Sequence, residues 1–177
     1  MSWPPAFSLS DGTLLAGCLL PSLVLAYTDA KRGVLPDKIT YAIFLAGLVD
    51  ALHRGMPAGA AAGTLLAFAV TFVPFCLGAS GGGDVKYASG LGLWFGFWGT
   101  FYLILVASLL GVTWGLVRLW RGGRLREWAQ AFARGVYLWA GFGVKEAFVV
   151  SRADTVPFGT CLAAAGWLVW LATKIYS

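Results

Sequence analysis

Two aspartates carry the chemistry that this sequence can do. Asp29 follows an apolar stretch that ends at Thr28, and Asp84 follows the glycine run Gly81, Gly82 and Gly83. Two carboxyl groups held close together share a proton, because like charges do not ionise cheaply side by side. The ionised member can take a proton from water while the neutral member polarises a carbonyl, and that arrangement hydrolyses a peptide bond. Each piece alone has a plainer reading. A carboxylate at a helix edge is most often only solvated, and a glycine loop ahead of a helix suits a phosphate equally well. The combination favours a catalytic pair: an acid that ends one apolar segment and a glycine-flanked acid that opens another. Glycines at 81–83 would let the backbone turn tightly and let a substrate backbone come close.

Other chemistries find little support. His53, the single histidine, falls at the far end of its segment from the two acids, which argues against a Ser-His triad or a histidine metal site beside them. Cys18, Cys76 and Cys161 form no C-x-x-C pair and read as small buried hydrophobes. No metal and no cofactor is expected. Lys86 is a cation in the first turn of a helix, where the macrodipole disfavours it. It would either bind substrate or a lipid phosphate, or simply snorkel to the interface. Asp50, toward the other end of the second apolar segment, is expected to reach the opposite interface.

The elements that must position these acids are membrane spans. Only 12% of the residues are charged and 59% are hydrophobic, against about a quarter charged in soluble domains. A span needs about 20 apolar residues. Six candidates emerge, Gly12–Thr28, Ile39–His53, Ala58–Leu77, Val85–Phe97, Gly99–Leu119 and Pro157–Ile175. The fold class expected is therefore all-α, a polytopic membrane protein forming one peptidase-sized domain over 1–177. The fourth candidate is short, so it is either buried among other helices or the bilayer thins beside it. Small residues four apart, Gly59 with Gly63, Ala88 with Gly92 and Gly96, and Gly111 with Gly115, would let helices approach closely.

The net charge of +5 does not point to a nucleic acid, because the cations cluster in a few loops. Lys31, Arg32, Lys38, Lys86, Arg118, Arg121, Arg124, Arg126, Arg134, Lys145 and Arg152 follow spans one, three and five. Only Arg54 and Lys174 fall on the other side. The positive-inside rule then places Asp29, the Gly81–Asp84 loop and the start of the last span on the cytoplasmic face. The stretch Trp120–Thr155 begins basic and continues with Trp128, Phe132, Val136, Trp139 and Phe142 on one helical stripe, which fits a helix lying in the cytoplasmic interface. A seventh span through Val136–Val150 is interrupted by Lys145 and Glu146. Met1–Ser10 lacks the basic start of a cleavable signal, so the first segment is expected to be retained.

Three motifs resemble one family. Asp29 is followed seven and eight residues later by Pro36 and Asp37, as in the first motif of type IV prepilin peptidases. Gly81-Gly82-Gly83-Asp84-Val85-Lys86 is similar to that family's G-x-G-D-[FV]-K motif, and Val156-Pro157-Phe158-Gly159 resembles its P-F-G motif. The resemblance implies a membrane aspartyl endopeptidase of the inner membrane, with Asp29 and Asp84 catalytic. It also implies that Gly81, Gly83, Lys86, Pro36 and Pro157 shape the active-site loops. The implied partners are a prepilin or pseudopilin substrate helix and the lipid bilayer, with cleavage of the short basic leader on the cytoplasmic side. Two features depart from the family. No cysteine-containing domain linked to methyl transfer is expected ahead of Asp29, so the expected activity is proteolysis alone. Thr160 stands where the family usually has a second proline. The presenilin and signal-peptide-peptidase group shares G-x-G-D but adds Y-D and P-A-L motifs that are not found here. Outside proteolysis, the competing readings are a non-catalytic membrane scaffold and a small transporter with half-helices at Gly81–Asp84. A transporter should hold its charges near mid-membrane rather than at one edge.

Overall fold

The computed structural model describes residues 11–76, 80–130 and 156–176. These residues are helical throughout, with no strand among them. In chain order they form α1 (Asp11–Leu14), a π-helical turn (Leu15–Leu19), α2 (Leu20–Arg32), α3 (Asp37–His53), α4 (Pro57–Cys76), α5 (Gly82–Arg121), α6 over 125–130 and α7 (Phe158–Tyr176). The chain divides into two compact units, Met1–Ser108 with Pro157–Ser177, and Leu109–Val156. Every candidate site residue belongs to the first unit.

Four helical segments among the described residues are long and apolar enough to cross a membrane: Gly12–Arg32, Pro57–Cys76, Gly82–Arg121 and Phe158–Ile175. Length and composition alone do not confirm the expected count of six. The expected second span, α3, has 17 residues and includes Asp37, Lys38 and Asp50. The expected fourth and fifth join in one 40-residue element, interrupted where Gly96 leaves helical geometry at φ 60° and ψ −172°. Only glycine adopts that backbone without strain. The outward faces are apolar: Leu20, Leu23, Leu65, Phe68, Phe101 and Leu105 are all exposed, as suits surfaces that meet lipid rather than water.

The stretch of α5 before Gly96 is the hub of the first unit. Val85 and every residue from Tyr87 to Phe95 are buried. The short fourth segment is thus enclosed by protein, the first of the two expected alternatives. Trp94 sits at the centre and donates its indole N–H to the Ile43 carbonyl at 3.0 Å. Its ring lies where Gly17 and Gly47 have no side chain, and a Cβ at either glycine would come within 2.7 Å of it. On the other flank the backbones of α4 and α5 nearly touch. A Cβ on Gly63 would lie 2.5 Å from the Gly92 carbonyl oxygen and 2.6 Å from the Gly96 carbonyl carbon. Lipid offers no hydrophobic drive between helices, so association rests on such close packing.

Several expectations meet particular outcomes. Cys18 and Cys161 are buried, but Cys76 is exposed on α4, which corrects its reading as a buried hydrophobe. Asp50 is held between Arg54, at 2.6 Å, and the Thr13 hydroxyl, at 3.2 Å. The interfacial helix expected through Phe132, Val136, Trp139 and Phe142 and the N-terminal decapeptide lie outside the described residues.

Gly63→Val should therefore destabilise the protein, at the upper end of the about 1–3 kcal/mol typical of overpacking, because the opposing atoms are backbone and cannot swing aside. Gly59→Ala meets no atom within 4 Å and should leave the melting temperature in detergent unchanged. Equal melting temperatures for the two variants would contradict this account of the α4–α5 contact.

Candidate active site

Asp29 lies one turn before the end of α2, where Gly33 takes a left-handed conformation (φ 62°) and donates its N–H to the Asp29 carbonyl at 2.8 Å. Ser22, Leu25 and Asp29 form the buried stripe of this helix, and α2 packs along α7. Asp29 is only 7% exposed, not simply solvated as a carboxylate at a helix edge most often is. A buried carboxylate needs partners, and the first turn of α7 supplies them. The Thr160 N–H donates to Asp29 Oδ2 at 2.8 Å, and Thr160 Oγ1 lies 3.1 Å from the same oxygen. Pro157 starts this turn, its carbonyl accepting from the Thr160 and Cys161 N–H groups. It has no N–H to leave unsatisfied there.

Asp84 opens α5 through a reciprocal pair of bonds. Its own N–H donates to the Gly81 carbonyl at 3.1 Å, and the Gly81 N–H donates to Asp84 Oδ2 at 3.2 Å. This is capping-box geometry with an acid at the third helical position. Asp84 is partly exposed, close enough to Asp29 for the two charges to act on each other, and also faces the Gly159 backbone. Successive residues at the start of α7 thus address the two acids, Gly159 toward Asp84 and Thr160 toward Asp29.

Leu35 explains the glycines. It is buried in the loop between α2 and α3, wedged against Gly83 and Gly159. A Cβ on Gly83 would lie 3.2 Å from Leu35 Cβ. One on Gly159 would lie 2.9 Å from Leu35 Cδ2 and 3.0 Å from Asp29 Oδ2. Among the described residues the left-handed glycines are Gly33, Gly55, Gly96 and Gly123, not Gly81, Gly82 or Gly83. Gly83 therefore serves close approach by Leu35 rather than a left-handed turn, while a Cβ on Gly82 would meet Phe75 at 3.4 Å.

The remaining expected residues frame the rim. Pro36 caps α3, its carbonyl accepting from the Ile39 and Thr40 N–H groups and from the Thr40 hydroxyl. This sets Asp37 in the first turn of α3, where it pairs with Lys86 at 3.0 Å. The Lys86 ammonium also lies 5.4 Å from the Tyr41 ring centroid. Lys86 thus has an intramolecular partner that neither reading of it from sequence included. An apolar groove of about 450 Å³ runs beside it, lined by Tyr41, Phe44, Phe68, Val85 and Ser89 among others. His53 ends α3, at the opposite end of that helix from Asp37.

The sequence singled out both acids, Pro36, Pro157 and the glycines. It assigned nothing to Leu35 and noted Thr160 only as a departure. A leucine among apolar neighbours carries no sequence signal, whereas a hydroxyl one residue past the third motif was a signal available to be used.

The type IV leader peptidase family matches residues 15–116, and the chain belongs to that family. It is 29% identical over 168 residues to the prepilin leader peptidase/N-methyltransferase of Xanthomonas campestris pv. campestris, covering 90% of this chain and 49% of that protein. It is 31% identical over 162 residues to the protein so described from Burkholderia pseudomallei, covering 77% and 52% respectively. With that from Dickeya chrysanthemi it shares 31% over 145 residues, covering 77% and 50%. The chain thus spans about half the length of these curated relatives. No solved structure gives a significant match. The family match includes Asp29, Pro36, Gly81, Gly83, Asp84 and Lys86 but ends before Pro157 and Thr160.

Gly159→Ala should strain the site directly, since the added methyl meets the Asp29 carboxylate and Leu35 together. A loss of about 1–3 kcal/mol is expected, read as a lower melting temperature in detergent. Leu35→Ala in the same background should recover part of it, because the smaller side chain makes room. No recovery in the double variant would show that Leu35 is not the clamp.

Proposed function

We propose that this chain is a membrane aspartyl endopeptidase that removes the leader of a type IV prepilin-like or pseudopilin substrate, with Asp29 and Asp84 as its catalytic pair. The observation that carries this reading is that both acids, separated by most of a helical bundle in sequence, converge on the first turn of α7. Solvated edge carboxylates have no reason to converge, and a half-buried facing pair is what peptide hydrolysis needs. Either acid alone would have a structural explanation, Asp84 as a helix cap and Asp29 as a partner of α7. Their juxtaposition is not required by either of those roles.

The chemistry runs as follows. The ionised carboxyl takes a proton from water, and the water oxygen bonds to the scissile carbonyl carbon. The neutral carboxyl gives its proton to the carbonyl oxygen. The tetrahedral diol then collapses: one of its hydroxyls returns a proton to the second acid as C=O re-forms, the C–N bond breaks, and the departing amine takes up the proton held by the first acid. No metal or cofactor enters any step. The apolar groove beside Val85 and Lys86 suits an apolar substrate helix lying in the bilayer beside Asp84.

We place the protein in the inner membrane as one multi-pass peptidase domain, with the acids at the cytoplasmic face, on the strength of the positive-inside pattern. Lys38, in the first turn of α3, and Met56, just past its end, are both exposed. In a chain lacking Cys18, Cys76 and Cys161, a cysteine at Met56 should react with an impermeant thiol reagent added to intact cells. One at Lys38 should react only after permeabilisation, and the reverse pattern would refute the orientation.

Asp29→Asn and Asp84→Asn should each abolish leader cleavage on co-expression with a prepilin, seen as unshifted mobility on a gel. Both should remain folded, because the amide oxygen can accept the same hydrogen bonds. Asp37→Asn should keep most activity, since its pairing with Lys86 is exposed and screened. Full processing by either of the first two variants would remove the catalytic assignment.

A further inference from the structure

We infer that Thr160 is a positioning residue for Asp29, holding Oδ2 with two donors so that Oδ1 is the oxygen that exchanges a proton with the attacking water. The inference rests on the catalytic reading of Asp29 and extends it to a residue outside the span of the family match.

The geometry is specific. Asp29 Oδ2 lies 2.8 Å from the Thr160 nitrogen and 3.1 Å from its hydroxyl oxygen. The N–H is shared with the Pro157 carbonyl at 3.1 Å, so the hydroxyl is the donor that side-chain chemistry adds. That hydroxyl also lies 3.1 Å from the Ala26 carbonyl, one turn before Asp29 on the same helix. A hydroxyl has a single proton and two lone pairs. With Asp29 ionised, the proton goes to Oδ2, because a charged acceptor forms the stronger bond. With the added proton on Oδ1, Oδ2 keeps lone pairs for both donors, and the hydroxyl need not turn to the Ala26 carbonyl. Thr160 therefore stays bonded to Asp29 in either protonation state, and the carboxyl plane does not rotate during turnover. An oxygen already holding two donors is the poorer site for a third proton, which leaves Oδ1 for the water.

The contact also reaches across the fold. Thr160 lies 131 residues from Asp29 in sequence, and the Gly159 backbone beside it faces Asp84. A small displacement of the Thr160 hydroxyl would therefore alter the aim of one acid relative to the other.

The test uses purified full-length protein in lipid vesicles and a prepilin substrate. Thr160→Val keeps shape and N–H but removes the hydroxyl, Thr160→Ala removes it without branching, and Thr160→Ser restores it. A lost hydrogen bond to a charged group corresponds to at least about a tenfold rate effect. Val and Ala should therefore lower kcat about tenfold or more with KM unchanged, and Ser should recover it to near the wild-type value. Infrared difference spectra supply a second readout, independent of turnover. The carboxyl band that disappears in Asp29→Asn should shift in Val and Ala and return to its position in Ser. Wild-type kcat in Val and Ala, with Asp29→Asn and Asp84→Asn inactive, would overturn the inference while leaving the catalytic pair intact. So would a loss that Ser does not recover, because that would mark a packing role. Cleavage by Asp29→Asn would instead overturn the catalytic reading and the inference with it. An Asp29 band unmoved in Val and Ala would overturn the contact whatever the activities.

Discussion

The arrangement depends on a carboxylate that sits where water cannot fully solvate it. Asp29 is nearly buried in a protein whose outer faces are apolar, and a charge in such surroundings is costly unless hydrogen-bonded. Its own helix offers nothing, because α2 ends one turn later and the carbonyls at a helix C-terminus repel an anion. The compensating donors come from the opposite kind of helix end. The first N–H groups of a helix have no partner within it, and α7 brings them, with the Thr160 hydroxyl, to Asp29. The Asp29 carboxylate and the start of α7 therefore satisfy each other across 131 residues, and α2 and α7 must pack side by side for this to hold.

That requirement propagates through the glycines. Asp84 can join the pair only if the start of α5 comes close to the loop after α2, and Leu35 fills the space between them. Gly83 and Gly159 present bare backbone to Leu35 from two sides. Further along α5, Trp94 fills the space vacated by Gly17 and Gly47, and Gly63 lets α4 lie backbone to backbone on α5 at Gly92. The break at Gly96 then ends the enclosed stretch, beyond which Phe97, Trp98 and Phe101 face outward. Small residues in this chain are therefore not generic membrane filler. Gly17, Gly47, Gly63, Gly83, Gly92 and Gly159 each mark a place where a particular larger side chain or a neighbouring backbone has to come.

Much of this was legible in the sequence, and the reasons differ by element. Asp29, Asp84 and Pro36 could be read because their chemistry is rare inside apolar segments, so any reading must explain them. The short fourth segment could be read as a separate stretch because its apolar run stops near the break at Gly96. The span count could not. Length and hydropathy describe a segment alone, and whether α3 crosses a bilayer depends on neighbours that shield Asp50 with Arg54 and Thr13. The burial of Asp29 was hidden for the same reason. Its cover comes from α7, and nothing in residues 20–40 announces a partner so distant in the chain. Lys86 illustrates a different limit, since its pairing with Asp37 joins two motifs that sequence treats separately.

One consequence concerns how the two acids differ. Read from their own helices, Asp29 stands at a negative end and Asp84 at a positive end, so the pair looks oppositely biased by the backbone. The start of α7 changes that picture, because it presents Thr160 to Asp29 and Gly159 to Asp84. Both acids now sit against a positive helix end, and what separates them is burial and the identity of their donors. Asp84 is partly exposed and bonded to the Gly81 N–H alone among the side-chain contacts of its own loop. Asp29 is enclosed and accepts from a side-chain hydroxyl as well as a backbone N–H. On the proposed reading, this asymmetry holds the orientation of Asp29 fixed while Asp84 stays partly open to solvent. It arises from where a third helix begins, so the motif residues around the two acids are not sufficient to define it.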